Sequence, residues 1–310
     1  MSMRRIAFLF AGQGAQAVGM GRDMAENVPA AKDVFDMGES IRPGVTALCF
    51  SGDPEELKKT ENTQPCLYLT DYAIAQSLVT AGVRPAAVAG FSLGEIPALA
   101  FAGVMSREDG FRFVSLRGET MAAVSARHPG GMAAALKLPP EKVEEICAGL
   151  DEVWPVNYNC PGQVSCAGKA DQMDALCEAV RAVGGRGVKL PVSGAFHTPY
   201  MQEAEPVLRD ALENLTLRSP AVPVYANRTA APYPDDPAGI LTLLSGQVCH
   251  PVRWESTLRR MAADGIDTFV EVGAGATLTG FVRRTLPEAT ALTVNDYPSF
   301  EAALRVLLGD

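Results

Sequence analysis

The stretch "AAVAGFSLGEIPALA", residues 86–100, decides how the chain is read. A short apolar run ends at Gly90, Ser92 stands between Gly90 and Gly94, and a helix-like "LGEIPALAFAG" follows. Gly90-Phe91-Ser92-Leu93-Gly94 fits G-x-S-x-G, in which the glycines leave room for a strained strand-to-helix turn that holds the serine out as a nucleophile. With 29 glycines in the chain the motif is not specific by itself, and an ordinary βα turn is the competing reading. Pro97 lies deep for a first helical turn, so the helix is expected to start irregularly.

Further strands are predicted at "RIAFLF" (5–10), "VPVYAN" (222–227) and "TFVEVG" (268–273), each bounded by Gly, Pro or Asn. Helical patterns lie between them, which points to a parallel sheet with crossover helices. Residues 129–193 read differently, as β-α-β-β-α-β: "HPGGMAAAL", "PPEKVEEICAGL", "VWPVNYNCPGQVSCAG", a second helix, then "GGRGVKLPV". The expected fold is therefore α/β: a hydrolase-like parallel-sheet core of residues 1–128 and 194–310, with a smaller ferredoxin-like subdomain, 129–193, inserted. "AAPYPDDPAG" (230–239) reads as a surface loop.

Bulk properties narrow the function. A net charge of −9 over 310 residues argues against nucleic acid as a partner. No apolar run reaches the roughly 18 residues needed to span a membrane. The N-terminal "MSMRRIAFLFAGQGAQ" reads as a first strand rather than a signal peptide. Seven cysteines without a C-x-x-C pair suggest reduced thiols in the cytoplasm, and no residue is assigned to a metal.

A serine hydroxyl needs a base. Three histidines are available, at 128, 197 and 250. His197, in "PVSGAFHTPYM", follows a strand-like segment and enters a loop, where catalytic groups collect, and is the preferred base. No adjacent acid completes a triad, so a dyad oriented by a backbone carbonyl is expected. In "REDGFRFVSLRGETMAAVSA" (107–126), Phe113, Val114, Met121 and Val124 share one helical face, and Arg117 lies near the middle of that stripe. A charge there requires a partner, either a structural carboxylate or one on the substrate. Gly12-Gln13-Gly14 nominally opens a dinucleotide fingerprint. The helical "AAKDVFDMGES" that follows is not the second strand such a fold needs. A tight loop offering a backbone N–H beside the serine fits better.

Together, "FLFAGQGAQ", "GFSLGE", Arg117, "NYNCPGQVSCAG", "SGAFHTPYM", Gln247-x-x-x-"PVRW" and "EVGAGATLTG" occur in the order seen in malonyl-CoA:acyl carrier protein transacylases. The chain resembles this acyltransferase family of fatty acid and polyketide synthesis over essentially its whole length. The resemblance implies Ser92 as nucleophile, His197 as base, and the Gln247 carbonyl orienting the imidazole. It also implies oxyanion N–H groups from Gln13 and Leu93, and Arg117 as the malonyl carboxylate site. By the same resemblance, Phe196 and Leu93 would leave little room for a branch methyl. The family usually has His before the serine; Phe91 stands there in this chain, leaving acyl preference and leakage to water open. His250, where Asn is common, is a lesser departure.

The implied reaction is ping-pong transfer of malonyl from malonyl-CoA to the phosphopantetheine thiol of acyl carrier protein, with no permanently bound cofactor. The partner is acidic, so docking calls for a basic patch, with Arg186 and Lys189 as candidates; a monomer is expected. The competing readings are a serine thioesterase using the same dyad, a relative with another acyl-CoA preference, and a non-catalytic carrier-protein-binding domain.

Overall fold

The computed structural model describes residues 4–192 and 194–309. Its strands are β1 (Ile6–Phe10), β2 (Ala87–Gly90), β3 (Gly130–Leu136), β4 (Val153–Cys160), β5 (Gln163–Lys169), β6 (Arg186–Lys189), β7 (Val224–Tyr225), β8 (Thr268–Val272) and β9 (Thr290–Val294). All five residues of β1 are buried, because helices cover both faces of the sheet. Strand alternation divides its side chains between two cores. Ile6, Phe8 and Phe10 join the larger apolar cluster, where Phe8 and Phe10 meet the Phe101 ring at 5.8 and 5.7 Å. Ala7 and Leu9 pack on the other face with Trp254 and Phe281.

The main sheet is fully parallel, in the order β7-β2-β1-β8-β9. Its register pairs Phe10 with both Gly90 and Val272, so three strands end at one level. The loops that leave them, at Gly12, Phe91 and Gly273, therefore crowd one edge. That edge, the carboxyl end of a parallel sheet, is where ligands bind in such folds.

The second sheet is antiparallel, in the order β4-β5-β3-β6, with helices Pro140–Ala148 and Gln172–Ala182 completing a βαββαβ run. Those helices cover one of its faces through Val143, Cys147, Met173, Leu176 and Val180. The other face contributes Met132, Val156 and Ala167 to the large core. β4 is also stitched to the segment before helix Trp254–Ala263: Tyr158 N–H donates to Val252 O at 2.9 Å, and Val252 N–H to Val156 O at 2.8 Å. The two sheets thereby face one another across the carboxyl edge.

Two expectations need correction. Strand 222–227 shrinks to Val224–Tyr225. Pro223 has no N–H to donate, and Asn227 is diverted to the serine turn. Nor is 230–239 only a surface loop. Tyr233 is buried and its hydroxyl donates to Glu95, while a helix starts at Pro237 behind an Asp236 cap. β9 was not predicted; four of its five residues are half-buried, which weakens the apolar signal. Among the described residues, no helix is long and apolar enough to cross a membrane.

Candidate active site

β2 ends at Gly90, and Ser92 follows at φ 53°, in the left-handed region. Only glycine fits on either side: a Cβ on Gly90 would lie 1.9 Å from Gly94 O, and one on Gly94 would lie 2.4 Å from Phe10 O. The turn continues as a 3-10 segment, Ser92–Gly94, before α-helix Glu95–Phe101, so the start is irregular as Pro97 predicts. Holding a non-glycine residue at positive φ costs about 1–3 kcal/mol, which the surroundings must offset. Asn227 does so with both ends of its amide. Its Oδ1 accepts from Ser92 N–H at 2.7 Å, and its Nδ2 donates to Gly90 O at 2.6 Å.

Of the three histidines, only His197 reaches the serine. Ser92 Oγ lies 2.7 Å from His197 Nε2, while Nδ1 lies 3.2 Å from Gln247 O and 3.0 Å from His250 O. Two carbonyls can only accept, so they hold the proton on Nδ1 and leave Nε2 free to take one from the hydroxyl. His250 bonds its own loop through Nδ1 to Gly246 O at 2.7 Å, and His128 pairs with Glu203 at the surface. Burial, reinforced by the Arg117 charge, pushes the His197 pKa down to about 4.

Arg117 is 1% exposed, on the buried face of helix Arg107–Arg127. Its Nη1 donates to Gln64 Oε1 at 2.7 Å; its Nη2 donates to Gln247 Oε1 at 2.9 Å and to Ser92 Oγ at 3.3 Å. Nε is buried without a partner among the described residues. Among the described residues no carboxylate forms an ion pair with it, and burial lowers its pKa to about 10. The nearest acid acts through an amide: Gln247 Nε2 donates to Glu95 Oε2 at 2.9 Å and to Ser92 O at 2.7 Å. Glu95 also accepts from Tyr233 OH and from Asn227 N–H, the latter at 3.2 Å. Its pKa is about 7, raised by burial and restrained by these donors and by Arg117.

The glycine loop meets the elbow closely. A Cβ on Gly12 would lie 2.6 Å from Phe91 O, and Gln13 Nε2 donates to Thr60 Oγ1 at 3.2 Å. Leu93 is fully buried. The Phe91 ring meets Trp254 edge-on at 5.3 Å and Phe281 at 6.1 Å. A cavity of about 530 Å³ opens beside Phe91 and Gln13, lined also by Asn157, Asn159, Gln163 and Ser165 of the small sheet. A wider groove of about 800 Å³ shares Gln13 and Leu190–Val192 with it. Phe196 is buried against Gly194 and lines neither space. Arg186 and Lys189 are exposed on edge strand β6, and Lys189 pairs with Asp174 at 2.8 Å.

Glu95, Asn227, Gln64 and Tyr233 were missed from the sequence. Glu95 did leave a signal, as an acid heading the apolar run "EIPALAF". The other three leave none that spacing could detect.

A pH profile tests the histidine assignment. With an uncharged activated ester as probe, acylation of Ser92 should slow with a midpoint near pH 4 rather than at the ordinary imidazole value of 6.5. Arg117→Ala should move that midpoint upward, since the guanidinium is a second cause of the depression. Stability follows the same shifts with opposite signs. As pH falls from 6.5 towards 4, the unfolded chain takes up a proton that folded His197 does not, and stability is lost. Glu95 does the reverse. As pH rises from 4.5 towards 7, the unfolded carboxyl ionises before the folded one, and its contribution falls.

The acyl transferase domain family matches residues 7–302. The malonyl CoA-acyl carrier protein transacylase of Bacillus subtilis (strain 168) is 36% identical over 311 residues, 98% of each chain. The solved transacylase of that name from Clostridium perfringens is 37% identical and superposes with TM-score 0.93 over 98% of this chain and 97% of that one. In the solved complex of a type II PKS acyl-carrier protein with its malonyl-transacylase, the matching chain is 33% identical, with TM-score 0.94 over 97% of this chain and 99% of its own. The chain belongs to the acyl transferase family of the malonyl CoA-acyl carrier protein transacylases.

Proposed function

We propose that this protein transfers a malonyl group from malonyl-CoA to the phosphopantetheine thiol of acyl carrier protein, through a malonyl ester on Ser92. One observation carries the reading: a buried guanidinium with no carboxylate partner among the described residues stands 3.3 Å from a serine that is bonded to an imidazole. A buried cation left open in this way suits an anionic acyl group, and a planar fork suits a carboxylate.

Ser92 Oγ attacks the thioester carbon as its proton passes to His197 Nε2. The carbonyl oxygen takes the charge and rests on the N–H groups of Leu93 and Gln13. The C–S bond then breaks, and the CoA thiolate leaves with the proton from His197. In the second half the pantetheine thiol gives its proton to His197 and attacks the ester, and the Ser92 alkoxide recovers the proton. Carbonyls of Gln247 and His250 keep the imidazole in one tautomer throughout.

The 530 Å³ cavity suits a pantetheine arm, since the amide residues Asn157, Asn159 and Gln163 are among its lining and the arm carries amides of its own. Phe91, packed on Trp254 and Phe281, gives that cavity an apolar wall at the ester where the family has an imidazole. Docking of the acidic carrier protein is assigned to the face bearing Arg186 and Lys189, next to the shared lining residues Leu190–Val192. Residues 129–193 are read as the inserted subdomain. The protein is read as a monomer and as cytoplasmic, the seven free cysteines suiting a reducing compartment.

Intact mass spectrometry after mixing with a panel of acyl-CoAs tests the reading. The malonyl adduct should form fastest and should move to holo acyl carrier protein when that is added. Release of free malonate at the same rate with and without carrier protein would mark a thioesterase instead, and absence of any adduct a non-catalytic binding domain.

A further inference from the structure

Gln247 contributes more than a backbone carbonyl, and its side chain raises a question of orientation. A glutamine amide has nearly the same shape either way round, so only its partners decide which end is oxygen. Here Nε2 faces Ser92 O and Glu95 Oε2, while Oε1 faces the Arg117 guanidinium. Ser92 O can only accept, Glu95 already accepts from Tyr233 and Asn227, and a guanidinium only donates, so the polarity is set from both ends.

We propose that Glu95 is a positioning residue for acyl selectivity: by accepting from Gln247 Nε2 it turns the amide oxygen to Arg117 and so fixes the guanidinium that receives the substrate carboxylate. This rests on the function proposed above. Glu95 is itself held by the Tyr233 hydroxyl and by the Asn227 N–H. Asn227 is the residue that clamps the serine turn, so the nucleophile and the guanidinium are braced from one buried carboxyl. The intervening amide has a second consequence. Glu95 supplies a negative charge that favours the buried Arg117 cation, yet it stands behind Gln247 instead of on the guanidinium. A direct salt bridge would occupy the donors that a malonyl carboxylate needs. At one remove, the counter-charge stabilises the cation and leaves it available.

The test uses full-length Glu95→Ala and Glu95→Gln, with rate constants for acyl-Ser92 formation measured for malonyl-CoA and acetyl-CoA. Wild type should prefer malonyl-CoA; if it does not, the underlying function fails whatever Glu95 does. Given that preference, Glu95→Ala should lower it about tenfold, mainly through the KM for malonyl-CoA, because Nε2 then has Ser92 O as its one remaining acceptor and the amide oxygen is held less firmly on Arg117. Glu95→Gln can still offer an amide oxygen to Gln247 and Asn227, and should keep the preference within about threefold. Equal loss for both substrates in Glu95→Ala would make Glu95 a support of the serine turn alone and overturn the proposal. So would a tenfold loss of preference in Glu95→Gln. Should Glu95→Ala not melt cooperatively, Glu95→Leu fills the space without accepting and takes its place, and Glu95→Gln decides by itself if neither folds.

Discussion

Ser92→Ala should abolish the acyl adduct with every acyl-CoA and reduce transfer to carrier protein by on the order of 10⁴-fold or more, since nucleophile and base act as one unit. The fold should survive. His197 keeps its carbonyls, Arg117 keeps Gln64 and Gln247, and the Ser92 N–H that Asn227 clamps belongs to the backbone. Alanine tolerates positive φ no better than serine, so the strain is unchanged and stability should shift by less than about 1 kcal/mol. Intact mass and a thermal melt check both halves. An adduct that persists in Ser92→Ala would mean that the acyl group is carried elsewhere. The half-buried Cys249 is an improbable carrier, because burial beside Glu205 raises its pKa to about 12 and keeps it a thiol.

The second large effect belongs to Arg117. Arg117→Ala should slow acylation by malonyl-CoA about 10²–10³-fold while slowing acetyl-CoA by less than about tenfold, because only malonyl has a carboxylate to lose a charge-assisted pair. Arg117→Lys should fall between them, retaining the charge but not the fork. Stability is a closer balance. Truncation leaves Gln64 Oε1 and Gln247 Oε1 without a donor, but it also removes a fully buried cation that no carboxylate of the described residues touches. The Glu95 pKa should rise further in the variant, as Arg117 is one of the causes holding it down. Acylation rates for the two donors decide the matter, and an unchanged malonyl preference would remove the guanidinium from substrate recognition.

The parts of this site that were legible in the sequence are those whose geometry is local. Gly90 and Gly94 announce a turn in which any Cβ would strike backbone, and Ser92 stands between them. The 3.6-residue period of 107–126 places Arg117 on the apolar face, and it is buried there. Two strands faded because their signals are not local. β7 is cut short by demands that the serine turn makes on Asn227, and β9 is too half-buried for its pattern to read clearly.

What the chain determined by itself is the order of strands and helices, the serine turn and the arginine in its stripe, since these follow from steric limits and periodicity within a few residues. Which polar ends meet is set by the packing of segments far apart in the chain. Gln64, Ser92, Glu95, Arg117, His197, Asn227 and Gln247 are joined by hydrogen bonds spanning 25 to 155 positions, and among the described residues Arg117 has no carboxylate against it. Periodicity selects the face on which a side chain lies. Hydrogen bonding selects its partner over about 3 Å, and that distance is set by how the two sheets and their helices pack.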